Sequence, residues 1–202
     1  MYHAVREKSI LTTDGRVNYV CPLFGESESK RYFKALESDI AWKNDVVIMF
    51  GKRLEMRRNT AWYGDKPFDY TYSKISRKAL PWTPALLEIK NAAEKLSGDV
   101  YNSCLLNYYS DGDDGMGWHS DDEPELDPEN SIASISFGVE RKFTLKHKLS
   151  GEKCDVVLEN GSALIMHPPT QEFWIHTLRK SKKISAPRIN LTFRRIATEI
   201  GS

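Results

Sequence analysis

The apolar positions of this chain change period along its length. From Ser27 onward, Tyr32, Phe33, Leu36 and Ile40 recur three or four residues apart, which puts them on one stripe of a helix and predicts packing against a core. A second helix is better punctuated. Thr83 can cap it, Pro84 suits its first position, Leu86, Leu87, Ile89, Ala93 and Leu96 form an apolar face, and Gly98 suits its end. The first fifth of the chain thus reads as helical and the remainder as mostly extended. After Gly98 come short β-rich runs divided by turn residues: Val100 to Tyr109, Ser131 to Phe137, Lys142 to Lys148, Val156 to Leu158, Ala163 to Met166, Phe173 to Leu178 and Arg188 to Ile196. Many short strands with few helices predict an α+β, mainly β fold, either a barrel or a double-sheet jelly roll.

The last run alternates most cleanly. Arg188, Asn190, Thr192 and Arg194 interleave with Ile189, Leu191 and Phe193, so on a strand the four polar side chains share one face. Either that face points into the barrel or the strand is half-exposed with solvated arginines. The run Val46 to Phe50 reads as a further buried strand.

Length and charge narrow the picture. A chain of 202 residues fits one domain. Its formal net charge of +1 excludes a globally cationic nucleic-acid binder, so contact with phosphate has to come from local clusters. Two exist: Lys52, Arg53, Arg57 and Arg58, and Arg179, Lys180, Lys182 and Lys183. Three cysteines, Cys21, Cys104 and Cys154, cannot all pair within the chain and read as reduced thiols. No apolar stretch approaches a membrane span, and Met1 to Lys8 lacks the apolar segment of a signal peptide. An intracellular protein is expected, cytoplasmic in a bacterium and nuclear in a eukaryote.

The chemistry concentrates at His119-Ser120-Asp121. Ligands at i and i+2 of an extended segment point to the same face, and a distant imidazole, His176, would complete a two-histidine, one-carboxylate set that leaves open positions on Fe(II). A calcium loop at Asp111 to Gly115 is set aside, because its glycine falls one place early and flanking helix signals are absent.

Longer stretches carry a family resemblance. They are Arg58-Asn59-Thr60-Ala61-Trp62-Tyr63-Gly64, Tyr70-Thr71-Tyr72-Ser73, Leu106-Asn107-Tyr108-Tyr109, Trp118-His119-Ser120-Asp121-Asp122-Glu123-Pro124, Ile132 to Gly138, and the Arg-x-Asn-x-Thr-Phe-Arg run ending at Arg194. Over roughly residues 45 to 196 the chain resembles the AlkB-type Fe(II)/2-oxoglutarate dioxygenases, which remove alkyl groups oxidatively from damaged nucleic-acid bases. It is nearest the vertebrate DNA and DNA/RNA repair dealkylases.

The resemblance implies a double-stranded β-helix core over residues 99–202 and a nucleotide-recognition region with a buttressing helix over 45–98; residues 1–44, which resemble the family only loosely, are expected to pack on that core. It implies Fe(II) held by His119, Asp121 and His176, with O2 and 2-oxoglutarate as co-substrates, and Arg194 among the catalytic residues. It further implies that Asn107, Tyr109, Arg188, Asn190, Thr192 and Arg194 bind 2-oxoglutarate. A planar guanidinium such as Arg188 can grip a distal carboxylate with two charge-assisted hydrogen bonds. The base pocket would draw on Trp62, Tyr70, Tyr72 and Ser73. Asp122 and Glu123 could accept from an exocyclic amine.

Phe50-Gly51-Lys52 sits where the duplex-preferring relative places an intercalating aromatic, whereas Arg58 to Gly64 resembles the relative that prefers single strands and RNA. The implied reaction is demethylation of 1-methyladenine and 3-methylcytosine by a monomeric enzyme acting on alkylated DNA, with RNA left open as a substrate and no membrane partner. The alternative readings are an iron hydroxylase of a protein or small molecule, and a non-enzymatic nucleic-acid-binding β domain.

Overall fold

A computed structural model describes residues 9–49, 52–72 and 75–197, with side chains for all of these except 45–49, 52–56, 69–72 and 75–77. Its elements in chain order are β1 (Arg16–Val20), α1 (Glu26–Asp39), β2 (Lys43–Met49), β3 (Lys52–Gly64), β4 (Asp69–Tyr72), β5 (Ile75–Lys78), α2 (Pro84–Ser97), β6 (Ser103–Tyr109), β7 (Met116–His119), β8 (Ile132–Gly138), β9 (Arg141–His147), β10 (Lys153–Leu158), β11 (Ser162–His167), α3 (Thr170–Phe173), β12 (Trp174–Leu178) and β13 (Arg188–Arg194). The fold is mainly β, as the strand pattern predicts.

Both expected helices form for the reasons visible in their sequence. In α1 the buried stripe is Tyr32 and Leu36, with Ile40 closing the end, and the Glu28 carboxylate accepts from the Gly25 amide at 3.2 Å. Acids in that first turn also suit the positive end of the helix dipole. In α2 the Thr83 hydroxyl accepts from the Leu86 amide at 3.3 Å, and Gly98 ends the helix at φ +82°, a conformation glycine adopts without steric cost.

The strands make a seven-stranded major sheet, ordered β1-β11-β8-β13-β6-β3-β2, a four-stranded minor sheet, β10-β9-β12-β7, and the separate β4-β5 hairpin. All pairings within these sheets are antiparallel. One face of the major sheet packs on the helices: Ile135, Phe137, Ile189, Leu191 and Phe193 join Leu36, Leu86 and Ile89 in one buried cluster. A second cluster lies between the sheets, where Val17, Ile132 and Leu164 meet Phe143, Leu145, Trp174 and Leu178. This is a jelly roll. Truncating a fully buried member such as Leu36 to alanine costs about 2–5 kcal/mol in lost transfer energy and residual cavity.

Two departures from the sequence reading stand out, and one open alternative closes. The first fifth is not purely helical, because Arg16–Val20 forms β1, which pairs with β11 and buries Val17 completely. The half-exposed alternative for β13 is excluded: the strand lies between β8 and β6, and all seven of its residues are buried. Finally, β7 and α3 are too short to leave a periodic signal. The run Val46 to Phe50 belongs to β2 as far as Met49, with Phe50 outside the described residues. Among the described residues no helix is long and apolar enough to cross a membrane.

Candidate active site

The minor sheet brings two histidines together. His119 ends β7 and is the register partner of His176 on β12, so their Nε2 atoms stand 3.1 Å apart. Asp121, just beyond the strand, places Oδ1 3.8 Å from His119 Nε2. One ligand atom from each of the three lies within 4.8 Å of the others. The carbonyl oxygen of Gly117 lies 2.8 Å from His119 Nδ1; this contact makes Nδ1 the protonated nitrogen and leaves the Nε2 lone pair facing the cluster. Two imidazole nitrogens and a carboxylate oxygen converging on one point form a donor set that Fe(II) fits.

Surroundings keep Asp121 and His176 in their metal-binding protonation states. Burial tends to raise the pKa of the Asp121 carboxyl, but Arg194 and the two imidazoles outweigh it and hold the group below its ordinary value. Arg194 donates to Asp121 Oδ1 at 2.6 Å, while the Asp121 amide donates to Gln171 Oε1 at 2.9 Å. Burial, against the pull of Asp121, pushes the His176 pKa down to about 4 and keeps that ring neutral.

The polar face of β13 lines the same cavity. Register sets Arg188 opposite Tyr109 and Asn190 opposite Asn107 on β6, and Asn190 opposite Ser136 on β8. Arg188 is 2% exposed and donates to Ser136 Oγ at 2.9 Å. Its Cζ lies 5.4 Å from the centre of the Tyr109 ring, and its Nε has no hydrogen-bond partner. Burial pushes its pKa down to about 10, and among the described residues no carboxylate stands within ion-pair reach of it. A buried guanidinium without a counter-ion is costly. A carboxylate of a bound dicarboxylate would offset that cost, so this end of the cavity fits 2-oxoglutarate. Asn190 Nδ2 donates to Ser134 Oγ at 2.9 Å and to the Ile135 carbonyl at 3.0 Å, and Thr192 donates to Asn190 Oδ1 at 3.3 Å.

The cavity holds about 280 Å³ between the two sheets. His119, Asp121, His176, Asn107, Tyr109, Arg188, Asn190, Thr192, Arg194, Trp62, Asp122 and Glu123 all line it. Asp122 accepts from Ser120 at 2.8 Å, and Glu123 lies 3.5 Å from Arg194 Nη1. Phe50, Gly51 and Ser73 lie outside the described residues, as do the side chains of Lys52, Tyr70 and Tyr72.

The structure alters the first basic cluster. Arg57 is committed to Asp111, Asp113 and Asp114 at 2.9, 3.7 and 3.6 Å, and Arg58 is buried in the cavity wall against Met116 Sδ. Burial withdraws Arg58 from phosphate, while Arg57 stays exposed but shares its charge with these acids. Arg58, Thr60, Ser134, Ser136 and Gln171 are site residues that the sequence reading missed. For the first two the signal was present, since they share two-residue spacing with Trp62; Ser134 and Ser136 likewise alternate with Ile135 and Phe137.

Comparison with known proteins agrees with this geometry. The sequence profile of the 2OG-Fe(II) oxygenase superfamily matches residues 17–194. The chain is 40% identical over 185 residues to the DNA oxidative demethylase ALKBH2 of Mus musculus, covering 86% of this chain and 77% of that protein. It is 39% identical over 188 residues to the alpha-ketoglutarate-dependent dioxygenase alkB homolog 3 of Bos taurus, covering 88% and 65%. The solved structure of OsALKBH1 superposes with a TM-score of 0.63 at 15% identity, covering 92% of this chain and 99% of that one, a likeness of fold.

Proposed function

The chain is a member of the 2OG-Fe(II) oxygenase superfamily, and on that premise we propose that it is an Fe(II)- and 2-oxoglutarate-dependent DNA dealkylase. It reverses N-methylation of bases of the 1-methyladenine and 3-methylcytosine type, and it works as an intracellular monomer. Relatives named as DNA oxidative demethylases, matched over most of the chain, support the reaction class. The observation that carries the reading is one cavity in which His119, Asp121 and His176 face an uncompensated Arg188, with the acids Asp122 and Glu123 on the same wall.

When bound, Fe(II) with O2 and 2-oxoglutarate supplies the oxidising chemistry that hydroxylates the methyl carbon, leaving succinate and CO2. His119, Asp121 and His176 would hold the metal. Arg188 would pair with the distal carboxylate of 2-oxoglutarate, while Asn107, Tyr109, Asn190 and Thr192 shape and orient that end of the cavity. Arg194 holds Asp121 in its ligating direction. The hydroxymethyl group on the ring nitrogen then breaks its C–N bond, releasing formaldehyde and the restored base. Both lesion types are cationic, so the Asp122 and Glu123 carboxylates favour them by charge. Trp62 supplies an aromatic wall for a base that has left its stack. Residues 45–98 serve recognition and 99–202 the chemistry. RNA bases fit the same description, and we include RNA among the substrates.

Mass spectrometry tests the reading. Single-stranded and duplex oligonucleotides carrying 3-methylcytosine are incubated with protein, Fe(II), ascorbate and 2-oxoglutarate. Loss of one methyl only in the complete mixture is expected. An unchanged oligonucleotide alongside conversion of 2-oxoglutarate to succinate would transfer the chemistry to a protein or small molecule.

A further inference from the structure

Trp118 stands one residue before His119 on β7, the edge strand of the minor sheet, and is 40% exposed. His119 lines the cavity and Trp118 does not, as expected of neighbours on a strand. The exposed indole already carries a cation: Arg179 Cζ lies 5.7 Å from its ring centre, within cation–π range. Arg179 opens the run Arg179, Lys180, Lys182 and Lys183, whose four residues are all exposed.

This run is held in place rather than hanging loose. The Ser181 amide donates to the Gly112 carbonyl at 2.7 Å, and the Gly112 amide donates to the Ile184 carbonyl at 2.8 Å. Beneath it, the buried Arg141 donates to the carbonyl oxygens of Arg179 and Asp114, both at 2.8 Å, and to that of Asp111 at 3.3 Å. An aromatic face and a guanidinium therefore stand beside the strand that carries a metal ligand, on the same anchored backbone from which three exposed lysines project.

We infer that Trp118 with Arg179 is a stacking platform for the nucleotide next to the lesion on an unpaired strand, while the lysines track its phosphates. This rests on the reading of the chain as a nucleic-acid dealkylase. Every base has a π-face that can stack on an aromatic side chain. In a duplex those faces are covered by neighbouring base pairs, whereas in an unpaired strand they are free. The surface thus selects unpaired substrate, and it does so outside the cavity that reads the lesion. Cationic side chains along such a surface add a salt-dependent attraction to phosphate.

The test compares KM and kcat on one 3-methylcytosine oligonucleotide, unpaired and annealed to its complement, for wild type, Trp118→Leu and Trp118→Phe. Leucine should raise KM for the unpaired form about tenfold or more, with kcat within about twofold and KM for the duplex unmoved. Phenylalanine should stay near wild type. Equal loss on both forms, no loss on the unpaired form, or a phenylalanine variant as weak as leucine would overturn the platform. If wild type itself demethylates neither form, the dealkylase reading fails first; if wild type is active and leucine is silent, only the platform fails. Should Trp118→Leu not fold, indole emission decides: adding unpaired strand must quench wild type more than Trp118→Phe, and equal quenching refutes the proposal.

Discussion

Arg194 reaches 2.6 Å from Asp121 Oδ1, and both side chains are almost wholly buried. The pair joins the central strand of the major sheet to the segment that follows β7 in the minor sheet, so the carboxylate we propose as a metal ligand is aimed by a residue of the opposite sheet. Burial is the largest single influence on Asp121 and Arg194 the largest opposing it, so without that guanidinium the carboxyl pKa rises.

Replacing Arg194 by methionine should therefore weaken metal binding by about 10–100-fold. The loss should be greater at pH 6 than at pH 8, because a carboxyl of raised pKa competes for a proton first in acid. Titration of the apo protein with Fe(II) under anaerobic conditions, or with Co(II), reads this directly. An affinity equal to wild type at both pH values would contradict the assigned role.

Arg188→Met should separate stability from binding. Removing a buried charge that has no carboxylate partner should leave the melting temperature of the free protein unchanged or raised, by about 1–3 kcal/mol of stability at most. The stabilisation that 2-oxoglutarate gives wild type, about 2.7 kcal/mol at a hundredfold excess over Kd, should vanish. Thermal melts with and without 2-oxoglutarate and Mn(II) distinguish the two effects.

His167 predicts a pH effect away from the metal. Arg16 donates to its Nδ1 at 2.8 Å, so its Nε2 carries the proton and donates to Asn18 Oδ1 at 2.9 Å. Burial, and then the charge of Arg16, lower its pKa below the ordinary 6.5. A histidine with a depressed folded pKa contributes fully above its unfolded value and loses that contribution as the pH falls through the folded one. Metal-free wild type should lose more melting temperature between pH 7.5 and pH 5.5 than His167→Gln. Equal losses would contradict the assignment.

Gly112→Ala should be severe for its size. A Cβ there would sit 1.9 Å from the Ser181 carbonyl oxygen, so the two loops must part. Destabilisation of about 1–3 kcal/mol should come with faster hydrogen exchange over residues 179–184, as followed by mass spectrometry.

Local spacing made part of this molecule legible. His119 and Asp121 two residues apart, and the alternation from Arg188 to Arg194, record a strand's geometry directly, and Thr83, Pro84 and Gly98 record a helix's ends. What stayed hidden depends on partners distant in the chain. Nothing near Arg57 announces its pairing with acids such as Asp111, fifty-four positions away. Gln171 meets the Asp121 amide across fifty residues from a four-residue helix with no periodic signal. β1 is five residues long and takes its identity from β11, not from its own pattern.

The place of β13 in the middle of its sheet bears on how such a molecule can change. Each inward polar residue from Arg188 to Arg194 is followed or preceded by one locked into the helical core, so altering the co-substrate end disturbs the scaffold with it. β7 lies at a sheet edge, where Trp118 touches open solvent. New choices of substrate strand can thus be tried at that rim, one residue at a time, while the oxidative machinery is inherited intact.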